Sequence, residues 1–333
     1  MQPITILGVG RTDYAPKPGV SIPEMVHVAV QAALADAELT MQDVDARVTA
    51  SVDLWDGLTA SNIAVTEVVG AVMQPEARVT GDGLLAACHG AMSILAGAYN
   101  VVLVVAHCKA SMGDSAAISN WTFDPIYQQP LGLDDAAAAA LQASALSLPP
   151  PLERPPADGA AAVILARASE TDLSGFRKPE RSLASNQIVN RLNPQLIGMG
   201  WALDEHYLGD RDLTDAPALR DAARRAFSMA KLNDPKRELA CAEISEHFDY
   251  QRALWARALG LADFSNLNLS GGLARGVPPF VAGLDRLIET VLRLREKPGT
   301  ALAHGCWGPC GQGQAVVIAD SAIVRSCDSA IVR

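Results

Sequence analysis

Apolar positions along this chain recur with two different periods. Short β-branched or wholly apolar runs predict buried strands at 4–10 (ITILGVG), 46–53 (ARVTASVD), 101–107 (VVLVVAH), 159–166 (GAAAVILA), 181–189 (RSLASNQIV), 239–245 (LACAEIS), 300–306 (TALAHGC) and 313–320 (GQAVVIAD). Between them the spacing turns helical. A helix is predicted over 21–39, with Ser21 as its cap before Pro23 and Glu24, and another over 59–72. Further helices are predicted over 216–232, where Leu219, Ala223, Ala226 and Ala230 recur every three or four residues, over 250–261, and over 277–296 with two prolines in its first turn. The stretch GDGLLAACHGAMSILAGAYNVVLVVAHCKAS (81–111) reads as a tight turn, a small-residue helix, a short turn and an apolar strand. Strands alternating with helices predict an α/β fold with a mostly parallel sheet covered on both faces.

The middle breaks this rhythm. A capped, alanine-rich helix is followed by prolines from Pro149 to Pro156 that forbid regular structure. DGAAAVILA (158–166) and GQGQAVVIA (311–319) look like one closing strand used twice, which points to a duplicated unit. The expected division is a first half over 1–166, including a short lid or connection over 109–158, a second half over 167–320, and a disordered tail over 321–333. The tail carries DSAIVR twice and is read as a frayed end.

Composition narrows the function classes. The 333 residues carry a formal charge of −10, and no basic stripe exists to neutralise phosphates, so nucleic acid is not an expected partner. No run reaches the roughly 18–20 apolar residues of a membrane span, and no cationic segment followed by an apolar run marks a signal peptide. A cytoplasmic location is expected, with the six scattered cysteines as buried free thiols. Cys306 and Cys310 are separated by three residues with no second pair, so no metal site is expected.

Several motifs in order, ILGVGRTDY, the 81–111 stretch, DPIYQQPLGL, DGAAAVILA, AEISEHFDY, NLSGGLARGVP and HGCWGPCGQGQAVV, give the chain its resemblance to the thiolase superfamily. The nearest likeness is to the lipid-transfer-protein (sterol-carrier) thiolase-like branch. The resemblance covers nearly the whole chain. It implies a five-layered αβαβα fold of two similar halves with two mixed sheets, a dimer, and chemistry at a carbon–carbon bond beside a CoA thioester. That chemistry uses a nucleophilic cysteine at a helix N-terminus, a histidine in a Gly-His-Pro turn, oxyanion donors, and a second cysteine in a Cys-x-Gly loop.

The sequence departs from the motif where the chemistry sits. Gly83 takes the nucleophile's place, Val277 replaces the histidine of the Gly-His-Pro turn, and Ser245 falls where Glu-x-His-Asp-x-Phe has its histidine, with His247 two residues on. Cys306-Trp307-Gly308 keeps the Cys-x-Gly loop. Retro-aldolase relatives use tyrosines instead, and the nearest tyrosine to the second motif is Tyr250. Cys88, five residues past Gly83, is rotated by roughly 140° and advanced by about 7.5 Å, and is read as a core cysteine. His247 is a displaced catalytic imidazole or a surface histidine. His304 lines the pocket or satisfies loop groups. Asp82 caps the helix or acts as an acid/base group.

The candidate catalytic set is therefore Cys306, His304 and His247, with Gly83, Ser245 and Val277 as degenerate positions. The candidate substrate-binding set is Asp82, Gly83, Asn268, Gly271, Gly272 and Gly308, the glycines allowing close backbone approach. The expected function is an acyl-CoA-handling subunit of acyltransferase or retro-aldolase type, acting in a complex. The CoA thioester is its substrate and no cofactor is bound. Partners implied by the resemblance are a second copy, a second thiolase-like chain, or a zinc-ribbon/OB-fold acyl-CoA-binding protein. The alternatives are a non-catalytic scaffold subunit and an acyl-lipid or sterol carrier.

Overall fold

The computed structural model describes residues 4–17, 19–167, 193–274, 276 and 278–321. The strand expected at 181–189, Val277 and the repeated tail beyond Ser321 lie outside the described residues.

Nine strands carry the core: β1 (Ile4–Arg11), β2 (Ala46–Ala50), β3 (Glu76–Val79), β4 (Val101–Lys109), β5 (Asp158–Arg167), β6 (Gln195–Leu203), β7 (Leu239–Ile244), β8 (Thr300–Trp307) and β9 (Gly313–Asp320). Their order is β3-β2-β4-β5-β1-β6-β9-β8-β7. Read outward from the middle, β1-β5-β4-β2 is matched by β6-β9-β8-β7, so β5 and β9, the strand pair that looked duplicated, hold equivalent places. The expected mostly parallel arrangement is only partly met. β2 runs parallel to β3 and β4, and β7 to β8, whereas β5 and β9 are antiparallel to both neighbours. The strands of the two halves meet at β1 and β6, where Ile4 pairs with Leu196 and Thr5 with Gln195, a two-residue ladder that links them into one mixed sheet.

The helices are α1 (Ile22–Ala37), α2 (Asp53–Asp56), α3 (Gly83–Leu95), α4 (Ser115–Trp121), α5 (Asp135–Ala145), α6 (Pro217–Ala230), α7 (Pro235–Glu238), α8 (Gln251–Ala258) and α9 (Ala282–Glu296). Ser21 caps α1 in a full capping box with Glu24, as its sequence predicts. α1 packs on the outer face of the first half and α6 on that of the second. Between the halves, α3 packs on β4 and β2 and also on β8 and β9, while α9 packs on β8 and β7 and also on β1 and β5. The large apolar cluster around these two helices draws on both halves.

A matched glycine pair marks the duplication. A Cβ at Gly8 or Gly10 would come within 2.2 Å of an α1 carbonyl, and one at Gly198 or Gly200 within 2.3 and 2.2 Å of an α6 carbonyl. Only glycine permits this approach of strand to helix. A register shift beside Gly8 in β1 has its counterpart beside Gly198 in β6.

A buried ionic network crosses the junction. Arg11 and Tyr14 of the first half reach Asp285 on α9, Asp285 pairs with Arg286, and Arg286 bonds Glu243 on β7 at 3.0 Å. Glu243 also accepts from Ser270 and Arg293.

Two sequence expectations need correction. Over 59–72 there is one short 3-10 turn (Ile63–Val65) among hydrogen-bonded turns rather than a continuous helix. Its β-branched residues favour helix weakly, and Ser61 is held by Ser51 and Asp53. The helix expected from 277 begins at Ala282. Pro278 and Pro279 precede it in a turn whose Pro278 carbonyl takes the Val281 and Ala282 N–H groups. The lid region also holds α4, which no periodicity signalled.

Candidate functional site

The residues assigned to chemistry converge where the N-termini of α3 and α9 meet the C-terminal end of β8. Gly83 opens α3, and its N–H donates to Phe280 O at 2.6 Å. A Cβ at this position would stand 2.6 Å from the Ala106 Cβ and 2.8 Å from the Leu284 Cβ. The turn sits at a helix N-terminus, and the space that a side chain would need there is filled.

Asp82 is fully buried and caps two helices at once. It accepts from Leu84 N–H at 2.8 Å and from Gly283 N–H at 2.9 Å. Its carboxylate fits a slot lined by the Cα atoms of Gly283 and Gly305, where any Cβ would fall within 2.4 Å of it. Burial pushes its carboxyl up to about 7, against the pull of the two amide hydrogen bonds. The capping role weighed for Asp82 is the one its geometry shows.

His304 and Cys306 lie on β8 with their side chains enclosed. Ser245 N–H donates to His304 Nδ1 at 3.3 Å, and His304 Nε2 lies 2.6 Å from Gln314 Oε1. Gln314 Nε2 donates in turn to Gly311 O, which aims its carbonyl oxygen at the ring. These partners fix a neutral imidazole with its proton on Nε2. Burial lowers the His304 pKa to about 4. Trp255 packs against the ring with centroids 6.1 Å apart. Cys306 Sγ is 3.7 Å from Ser245 O and 3.9 Å from Ser245 Oγ, and burial, with the Asp82 charge adding to it, pushes its thiol well up. A nucleophilic cysteine needs the opposite shift.

His247 lies close enough to His304 to act on its charge. Burial lowers its own pKa to about 4, and its Nε2 is enclosed without a hydrogen-bond partner among the described residues. Asn268 is a backbone clamp: its Oδ1 accepts from Ile244 N–H at 2.6 Å and its Nδ2 donates to Ile244 O and Glu246. With both ends of its amide used, it offers no free donor to an oxyanion. Gly271, Gly272 and Gly308 all have positive φ, so their glycines answer to backbone turns. Cys88 is sealed inside α3 with its thiol pushed up to about 12 by burial, as a core cysteine would be. Tyr250 OH donates to Gln142 Oε1 of α5 at 2.8 Å.

The structure thus brings Asp82, Gly83, Ser245, His304 and Cys306 into one region, and all of them are buried. Gln314 and Trp255 complete it, and the sequence reading missed both. Gln314 is legible only through the β8–β9 register, which sets it opposite Cys306. No group of metal-ligating side chains occurs among the described residues. A surface cavity of about 350 Å³, lined by residues including Arg252, Phe264 and Leu267, opens elsewhere, beside α8.

No family model matches the chain, and no curated protein matches it in sequence. Solved structures do match. Human mitochondrial 3-ketoacyl-CoA thiolase superposes with a TM-score of 0.70 at 18% identity, over 96% of this chain and 99% of that one. This chain has the thiolase fold. A structure of the same human enzyme in complex with CoA gives a TM-score of 0.71 at 18% identity, over 96% and 98% of the two chains. The monomeric SCP2-thiolase-like protein type 1 from Mycobacterium smegmatis gives 0.65 at 18% identity, over 96% of this chain and 77% of that one. The thiolase fold accounts for the duplicated halves and for the place of α3 and α9 between them.

Proposed function

We propose that this chain is a thiolase-fold subunit that serves an assembly acting on acyl-CoA thioesters without itself carrying the acyl group. The packing at Gly83 carries the reading. Ala106 and Leu284 occupy the volume that a nucleophilic side chain would need. Acyl transfer through a covalent intermediate needs an activated nucleophile beside a base. Here the one thiol kept from the motif, Cys306, has its pKa raised, and the nearest imidazole, His304, has both ring nitrogens engaged. A thioester as the substrate of the assembly is supported by the fold and by the CoA complex of a structural relative.

The partner supplies the nucleophile in this reading. Homodimeric or heteromeric pairing has a candidate edge at β3, which ends the sheet and whose four residues are all half-buried. The test is intact mass after incubation with labelled acetyl-CoA, run beside turnover of acetoacetyl-CoA or a β-hydroxyacyl-CoA with and without a thiolase-like partner. No adduct on this chain, no turnover by it alone, and turnover unchanged by Cys306→Ala in the complex are the expected results. A stable adduct on any of its cysteines overturns the proposal.

A further inference from the structure

The segment between β4 and β5 buries some of its apolar side chains and exposes others. Its inward face anchors it: Ile118 and Phe123 are buried, Ala139 and Ala143 of α5 pack on Phe248 and Tyr250, and Ala138 packs with Phe123 on Leu208 and Cys310. Four of its large apolar side chains face solvent instead, with Trp121 59%, Ile126 70%, Tyr127 69% and Leu131 79% exposed. These four side chains belong to one pinned turn. Asn120 Nδ2 donates to Gln129 O and Leu133 O, Gln129 Nε2 donates to Trp121 O and Phe123 O, and Asp124 Oδ1 accepts from the N–H groups of Ile126 and Tyr127. The turn is ordered before anything binds, so docking on it costs little further ordering. Exposed aromatic and aliphatic side chains grouped on a rigid support are the usual make-up of an interface centre.

The charge around this turn selects the partner. Residues 110–157 contain Asp114, Asp124, Asp134, Asp135 and Glu153, with Arg154 as the single cation and no lysine. Arg154 is already paired with Glu246. Such a segment repels the phosphates of CoA, an anionic lipid surface and the same segment of a second copy.

We propose that the face formed by Trp121, Ile126, Tyr127 and Leu131 docks a partner protein presenting an apolar patch rimmed by lysine and arginine. This rests on the subunit reading above and names the chemistry of its partner. A photo-crosslinking residue at position 131 of the full chain, in the cells that produce it, identifies what lies against the turn, and calorimetry with that purified protein then measures affinity. The expected result is a heteromeric product. Its binding to the full chain falls about tenfold or more on Tyr127→Ser with Leu131→Ser, falls as salt is raised to about 0.5 M, and is unmoved by Val28→Ser at an exposed position of α1, on the outer face of the first half. Crosslinking only to a second copy, to lipid or to nothing overturns the proposal, as does an affinity indifferent to the lid substitutions or to salt. An acyl adduct on this chain would overturn the subunit reading alone, so the two failures are separable.

Discussion

The carboxylate of Asp82 accepts a 2.9 Å hydrogen bond from the backbone N–H of Gly283, 201 residues further along the chain. It caps its own helix, α3, with its other oxygen. One buried side chain therefore ties together the N-termini of the two helices that lie between the halves, and two helix dipoles converge on it. Among the described residues no cation is bonded to it, and burial wins over the two amide bonds in setting its pKa.

That balance has a pH signature. The folded-state pKa of about 7 lies above the ordinary carboxylate value, so between about pH 4 and 7 the native state holds a proton that the unfolded chain has lost. Stability from this group is present below about pH 4 and declines as pH rises through 7, by about 4 kcal/mol at most. Asp82→Asn is expected to flatten this part of the urea-midpoint profile. It also costs about 1–3 kcal/mol, because its NH2 group faces a backbone N–H where an oxygen accepted before. A variant with the wild-type slope between pH 4 and 7 would contradict the assignment.

Restoring a thiol at position 83 is expected to fail as a rescue. Gly83→Cys forces a Cβ against Ala106 and Leu284, an overpacking worth about 1–3 kcal/mol. Denaturant midpoints should drop, and intact mass after acetyl-CoA should show no acyl adduct. An adduct on the variant would show that the space can open.

His304 and His247 titrate in the opposite sense to Asp82. Both pKa values are lowered to about 4 by burial, so between about pH 4 and 6.5 the unfolded chain binds protons that the native state refuses. Their contribution is complete above 6.5 and lost as pH falls through 4. Nitrogen-15 spectra at pH 5.5 should show His304 neutral with the proton on Nε2, and a ring half-protonated near 6.5 would refute the buried arrangement.

Tyr250→Phe removes the hydroxyl that bonds Gln142 on α5. Gln142 also donates to Leu213 O, so both ends of its amide tie the lid to the second half. A loss of about 1–2 kcal/mol is expected, with faster amide exchange over 135–145 and unchanged protection in β8. Exchange that quickens equally in both would mean the lid is not a separate unit.

Arg286→Ala would leave Glu243 and Asp285 buried without their shared cation. About 3–5 kcal/mol of destabilisation is expected, larger than for Arg224→Ala on the surface of α6, where the partner Asp221 is exposed. Comparing the two by urea unfolding checks whether the network across the halves is a structural tie.

Elements with local signals were legible in the sequence. Ser21 and Glu24 announce the start of α1, the alanine-rich run beginning at Asp135 reads as a capped helix because Asp134 precedes it, and the continuous apolar runs of β4 and β5 admit little but buried strand. The glycine at 83 is likewise a fact of the sequence. What escaped it depended on contacts with distant residues. β6 was missed because Gly198 and Gly200 interrupt its apolar pattern, and they are glycines because the carbonyls of α6 lie against them. The helix expected over 59–72 gave way to a series of turns whose start, Ser61, is held by Ser51 and Asp53. Whether position 83 is an empty pocket or a packed contact was decided by Ala106 and Leu284, which come from another strand and another helix. Periodicity records which face of an element is buried. It carries no record of what that face is buried against, and the closure of the site is a property of that second surface.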